Sequence, residues 1–347
     1  MKIITCASYH GTGSSALTDL ITEYDVVESL GDYEFSFAYT TDGLSDLEYH
    51  LTEFVDRHKS GAALKRFERL SKFNNGVWFN KRYAPFFGNK YWDLTKKYID
   101  TLVDFKLKGY VSRDALDRGV PFYYYQNIVT KFFNLIGIKV NLLPKEYVYH
   151  SHPSKDKFLA ETRKYTHALM DAANKNNSEY LMIDQLLPPS NIERCLRYFS
   201  DDVFVIVVDR DPRDVYLSNK YVWKEANIVP LDPETFCRWF TYTHEGNNDN
   251  NANDRILKLN FEDLIYNYVE TKKRIEAFVG LSEKRHKEPF SKLNPRRSVV
   301  NTQQWLKYGN EDEIKYIEEH LMQYLFPFEK YKNSIIQGVE PNVTSAF

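Results

Sequence analysis

Two short segments of this chain carry residue types that could handle an anion. The first, Gly11-Thr12-Gly13-Ser14-Ser15, stands between the apolar run Lys2–Ser8 and a segment, Ala16 to Ile21, with helical apolar spacing. Glycines there permit a tight turn and close backbone approach, while the following amides and the helix dipole favour negative charge and the two serines add hydroxyls. The pattern is not GxxxxGK[ST], and it has no lysine to reach the terminal phosphates of a nucleoside triphosphate. Such a turn also serves simply to tighten a strand–helix connection. The second segment runs Asp209-Arg210-Asp211-Pro212-Arg213-Asp214-Val215-Tyr216-Leu217-Ser218. Arg210 ends a buried-strand pattern, Pro212 suits the first turn of a helix, and Ser218 lies eight residues on. A guanidinium fork and a hydroxyl converging on one face can bind a phosphate by charge-assisted hydrogen bonds. The plainer alternative is a set of surface ion pairs among Arg210, Asp211, Arg213 and Asp214 at a helix start.

Three side chains compete as a proton acceptor. Glu34 sits in Gly31-Asp32-Tyr33-Glu34-Phe35-Ser36-Phe37, where apolar neighbours can raise a carboxyl pKa. Asp184 ends the strand pattern Tyr180–Asp184, and His10 is beside the glycine turn. Each has an ordinary alternative: a solvated loop carboxylate for Glu34, a cap or turn residue for Asp184. His150 and His152 alternate without a third ligand nearby, and Cys6, Cys195 and Cys237 are odd in number and far apart. Neither a metal site nor a disulfide framework is expected.

The elements that must position these groups are strands Lys2–Ser8, Tyr180–Asp184, Asp202–Asp209 and 255–260, interleaved with helical segments. That order predicts an α/β, P-loop NTPase-like three-layer fold with a central parallel sheet. Between the first two strands, about 45–175, lies an aromatic- and lysine-rich stretch that includes Trp78-Phe79, Tyr91-Trp92 and Pro121–Tyr125. It reads as a large, mostly helical insertion into a single domain of residues 1–335, with 336–347 a C-terminal tail and Asn247–Asp254 a polar loop. No internal repeat is seen. The chain is 16 % aromatic, with 26 Tyr and 23 Phe, which suits packing and equally a cleft where ring faces meet sugar C–H faces. Lys96, Lys97 and Lys131 would complement an acidic sugar, and the insertion could equally serve contacts in a homo-oligomer. A net charge of −2 gives no overall field to attract nucleic acid. The apolar stretches Phe132–Ile138 and Val203–Val208 are too short to span a bilayer, and no signal-peptide pattern opens the chain, so a cytoplasmic location is expected.

Together the two segments resemble those of the 3′-phosphoadenosine 5′-phosphosulfate (PAPS)-dependent sulfotransferases, on their bacterial, carbohydrate-modifying branch. In that family a Gly-Thr/Ser-Ser/Thr loop holds the 5′-phosphosulfate, and an Arg-x-Pro-Arg-Asp-Val-x-x-Ser segment holds the 3′-phosphate. The resemblance implies that the loop Gly11, Thr12, Gly13, Ser14 and Ser15 binds the first group, while Arg210 and Ser218 bind the second. It extends to Asn260-Phe261-Glu262-Asp263-Leu264, to Phe278–Leu281, and to Ser298, Asn301 and Trp305 near the C-terminal helix. It covers about 1–40 and 180–330. It implies sulfuryl transfer to a carbohydrate hydroxyl without a metal, leaving 3′,5′-adenosine bisphosphate, with Glu34, Asp184 or His10 as base. The family's loop Lys or Arg is replaced by Gly11; His10, or Arg296 or Arg297 from the C-terminal part, would have to supply its charge. Two rivals stay open: a nucleotide-binding module without turnover, and a P-loop kinase for a small molecule.

Overall fold

The computed structural model describes residues 1–56, 59–76, 80–110, 117–142, 145–224, 228–245 and 253–340. Trp78-Phe79, most of the polar run (247–252) and the last part of the tail (341–347) lie outside the described residues. The chain divides into two compact units, Met1–Thr40 with Thr166–Phe347, and Thr41–Tyr165.

Among the described residues the strands are β1 (Lys2–Ser8), β2 (Val27–Ser29), β3 (Phe105–Gly109), β4 (Glu146–His150), β5 (Tyr180–Asp184), β6 (Asp202–Asp209) and β7 (Ile256–Asn260). Five of them form the sheet of the larger unit in the order β2-β5-β1-β6-β7, every pair parallel. This is the expected α/β architecture. Ile4 and Cys6 of β1, Tyr180 and Met182 of β5, and Ile206 and Val208 of β6 share one core with Leu17, Leu20, Ile275 and Val279. The alternate residues Ile3, Ala7, Leu181, Ile183 and Val205 are buried as well. A sheet covered on both faces demands near-continuous apolar strands, which is why these runs were legible. The three residues of β2 are too few to show a period. All three cysteines are free and buried.

Helix α1 (Ser14–Thr22) follows the glycine turn, with Gly13 as its N-cap at φ +91°. Thr12 is 1 % exposed and its hydroxyl lies 2.6 Å from the Val208 carbonyl and 2.9 Å from that of Tyr9, which ties the turn to β6. A β-carbon on Gly13 would stand 2.7 Å from the Phe261 ring. Position 13 therefore requires glycine twice over, for its left-handed backbone and for the ring.

The smaller unit holds the helices Lys59–Asn75, Lys90–Leu102 and Val120–Leu135, with β3 and β4 paired antiparallel. Its interior is aromatic and hydroxyl-bonded: Tyr98 stacks on Tyr165 at 4.5 Å, and its hydroxyl meets that of Thr162 at 2.6 Å. His150 stacks on Phe105 across the hairpin.

Gly13→Ala should destabilise the chain by about 2–4 kcal/mol, from backbone strain plus overpacking against Phe261. Gly31→Ala, also at positive φ but with open space around it, should cost only about 1 kcal/mol. Urea unfolding of both variants measures the difference, and equal losses would show that the ring contact contributes nothing.

Candidate functional site

The carboxyl ends of β1, β5 and β6 bring the glycine turn, Asp184 and Arg210 to one edge of the sheet, where open α/β folds leave a crevice. Arg210 is 5 % exposed. Its Nη1 donates to the Gly11 carbonyl at 3.1 Å, and its Nη2 to Ser218 Oγ at 2.9 Å and the Asn301 carbonyl at 2.6 Å. Its Nε is buried with no partner among the described residues. One guanidinium thus joins the first segment, the second segment and the C-terminal part. Ser218 Oγ also accepts from Gln304 Nε2 at 2.7 Å, so neither bond uses its own proton. Ser218 opens a π-helical turn, Ser218–Trp223, that continues the helix Pro212–Leu217. Such a widening re-aims side chains and recurs at functional sites.

The charges around Arg210 are buried, not the surface ion pairs of the plainer reading. Asp211 Oδ1 and Oδ2 accept from Arg213 Nε at 2.9 Å and Nη2 at 2.7 Å, and Oδ2 also takes the Phe326 amide at 3.0 Å. Arg213 reaches Glu318 at 2.7 Å and lies 3.7 Å over the Trp305 ring. Asp214 accepts the amides of Gln303 and Gln304 at 2.9 and 2.8 Å. Burial pushes Asp214 up to about 7, against the pull of Arg210. Glu262, wholly buried, is held well above the usual carboxylate range by burial and by Asp211 and Asp214. Arg213 and Asp211 therefore fasten the C-terminal part, and Arg210 is the cation of this cluster whose guanidinium keeps an unpartnered atom.

Two adjoining clefts open beside the turn, both lined by the larger unit. The smaller, about 360 Å³, is bounded by Gly11, Gly13, Ser14, Ser15, His10 and Trp223, with Glu34 and Gln185. The larger, about 810 Å³, adds Tyr39, Asn191, Trp239 and Tyr242. Glu34 faces both and is solvent-exposed. Phe35 and Phe37 turn into the core, so they do not surround Glu34. Asp184, 2 % exposed, is pushed up to about 7 by burial first and the Glu34 charge second, while a Ser14 hydrogen bond pulls the other way. Asp184 Oδ1 has no partner among the described residues. His10 lines both clefts, its ring edge-on to Trp223 at 6.4 Å.

Arg296 and Arg297 are engaged elsewhere: Arg296 with the Ile336 carbonyl and the Glu340 carboxylate, Arg297 with the Lys292 carbonyl at 2.9 Å. Among the described residues no Lys or Arg lines either cleft. A β-carbon at Gly11 would stand 3.1 Å from the Trp223 ring. Among the described residues no group of three or more His, Cys, Asp or Glu side chains could hold a metal ion.

Three features were not read from the sequence. Gln185 adopts φ +51° and bonds Ser8 Oγ through Nε2 at 2.5 Å on the floor of both clefts. A non-glycine residue in that region is a sparsely populated conformation that clusters at functional sites, but no sequence period announces it. Gln304 completes the Ser218 contact. His244 is sandwiched between Tyr9 at 3.7 Å and Phe240 at 4.0 Å, with Nε2 3.3 Å from Asp209 Oδ1.

No family model matches the sequence, and no curated protein matches it. Among solved structures the chain is similar to the sulfotransferase domain of the Synechococcus PCC 7002 olefin synthase, with 13 % identity and TM-score 0.43 over 94 % of this chain and 96 % of that one. It is also similar to sulfotransferase STF9 from Mycobacterium avium (11 %, TM-score 0.37, 97 % and 78 %) and to retinol dehydratase with androsterone and inactive cofactor PAP (14 %, TM-score 0.31, 94 % and 81 %). Likenesses at these identities and TM-scores assign neither activity nor substrate to this chain.

The Asp184 carboxyl gives a signed pH dependence. Its pKa is about 7 when folded, against an ordinary 3.8. Between those values the folded chain holds a proton that the unfolded chain has lost, so stability falls as pH rises through that window. Asp184→Asn removes this loss and should stabilise the chain at pH 8 by about 1–3 kcal/mol relative to its effect at pH 4. Thermal unfolding at both pH values tests it; a pH-independent difference would place the ionisation elsewhere.

Proposed function

We propose that this chain is a sulfotransferase that moves a sulfuryl group from PAPS to a hydroxyl, and that its acceptor is a carbohydrate. The observation that carries the reading is the buried Arg210 fork, which joins the glycine turn to Ser218 and keeps a polar atom for an anion. The residues present fit the donor. Gly11 and Gly13 let the turn take positive φ, Ser14 and Ser15 offer hydroxyls at the start of α1, and Arg210 with Ser218 would hold a 3′-phosphate. When bound, PAPS supplies an activated sulfuryl group and a nucleotide leaving group.

The chain's own work is to orient and deprotonate the acceptor. Glu34, exposed in the cleft, takes the hydroxyl proton as the oxygen attacks sulfur. Burial and the charge on Glu34 favour the protonated form of Asp184 toward neutral pH. Tyr39, Trp239 and Tyr242 present ring surfaces, and Asn191 and Gln185 present amides to the same cleft. Flat rings with convergent amides suit a sugar's C–H faces and hydroxyls.

A second reading, a nucleotide-binding module without turnover, is favoured by one observation: among the described residues no Lys or Arg lines the clefts to steady a leaving oxygen. Both readings expect the bisphosphate to bind, and consumption of PAPS separates them.

Arg210→Ala should weaken binding of 3′,5′-adenosine bisphosphate by about 2–3 kcal/mol, and Ser218→Ala by about 1 kcal/mol. Calorimetric titration of the folded variants reads this directly, and unchanged affinity in both would remove the assigned phosphate site. Glu34→Gln should lower kcat by about a hundredfold or more while leaving bisphosphate affinity as it was. It should also bring the Asp184 pKa down, because the like charge is gone. Normal turnover in this variant would shift the proton-accepting role to Asp184 or His10.

A further inference from the structure

The helix Val120–Leu135 of the smaller unit has no buried residue, and its polarity is turned the wrong way for a helix at a water-facing surface. Tyr124, Ile128, Phe132 and Leu135 fall on one stripe at four- and three-residue spacing and are 62, 67, 61 and 86 % exposed. The opposite face is half-buried, and it carries the polar Gln126 and Thr130 among its apolar residues. An amphipathic helix packed on a protein ordinarily points its apolar stripe inward. Here the more apolar stripe points out, and the following Ile136 and Ile138 extend it, 59 and 49 % exposed. So large a contiguous apolar surface marks an interaction site.

Charge decides between occupants. From Arg118 to Lys145 the sequence holds Arg118, Lys131, Lys139 and Lys145 and no Asp or Glu, a charge of +4 within a chain of net −2. Arg118 is tied to Glu146 at 2.6 Å, whereas among the described residues no ion pair is seen for Lys131, within the apolar stripe, or for Lys139 just beyond the helix. A two-fold contact with a second copy would bring these lysines towards one another. A surface of anionic headgroups complements them while receiving the aromatic and aliphatic side chains at the boundary of head group and acyl chain. No helix among the described residues is long and apolar enough to cross a membrane.

We propose that the outward face of Val120–Leu135 docks this chain on an anionic membrane surface, the helix lying in the interface with Tyr124, Ile128, Phe132 and Leu135 inserted. This inference stands independently of the catalytic reading, since none of these residues lines the clefts.

The test is flotation of the full chain with vesicles of phosphatidylcholine alone and of phosphatidylcholine with phosphatidylglycerol, at low and high salt. Association with the anionic vesicles should exceed that with neutral ones by about tenfold or more and weaken in salt. The exposed double substitution Ile128→Glu with Phe132→Glu should reduce it by about tenfold or more, with an unchanged unfolding midpoint as the folding control. Lys131→Glu with Lys139→Glu should remove the preference for anionic vesicles. The proposal is overturned by no association with either vesicle, by equal association with both, or by association that survives the Ile128/Phe132 change. A dimer in sedimentation that the same change dissociates, without vesicle binding, would assign the face to a second copy instead.

Discussion

A guanidinium buried to within 5 % of complete exclusion from water is a severe constraint, because a buried cation without partners is too costly to persist. Arg210 meets that constraint with three oxygens from three distant parts of the chain: the Gly11 carbonyl, Ser218 Oγ and the Asn301 carbonyl. Each fixes something further. The Gly11 contact sets the inner side of the glycine turn, the Ser218 contact sets the start of the π-helical turn, and the Asn301 contact draws the C-terminal part over the end of β6. Moving any of the three leaves a buried charge short of a hydrogen bond, so the geometry of the turn and of the phosphate-type fork are one problem.

The neighbouring acids show how that charge is tolerated. Asp211 is saturated by Arg213 and the Phe326 amide, so its charge is answered there and it fastens the C-terminal part. Asp214 and Glu262 are pushed upward by burial, so they sit beside the cluster closer to neutral than surface carboxylates would. Breaking one such buried partnership costs more than the pair contributes over an apolar substitute. What the cluster supplies is geometry: the strand end, the following helix and the C-terminal helix Glu311–His320 are held in one arrangement through Arg213 and Glu318.

The carboxyl pair at the cleft works by the opposite placement. Glu34 stays in water and Asp184 is excluded from it, and the charge on the first raises the second. Exclusion from water beside a like charge is what moves Asp184 toward neutrality. Trp223, Gln185 and His10 line the cleft between Glu34 and the glycine turn.

The sequence by itself determined the parallel sheet, because strands buried on both faces must be apolar along their whole length, and β1, β5 and β6 have the limits that their composition marks. It also carried the Arg210–Ser218 spacing, since Arg210 ends the strand pattern just before the helix Pro212–Leu217 and Ser218 directly follows that helix. Only the tertiary structure decided what Arg210 touches, for Gly11 and Asn301 are 199 and 91 residues away from it along the chain. It decided the surroundings of the two carboxyls as well: Phe35 and Phe37 beside Glu34 in sequence are buried in the core, and Asp184 is excluded from water at the end of β5 and pushed up to about 7. Exposure, too, was beyond the sequence, where Val120–Leu135 looks like any aromatic helix with a core to cover. A residue's neighbours along the chain are set by covalent geometry, but its dielectric surroundings and its distant partners exist only after the chain has folded.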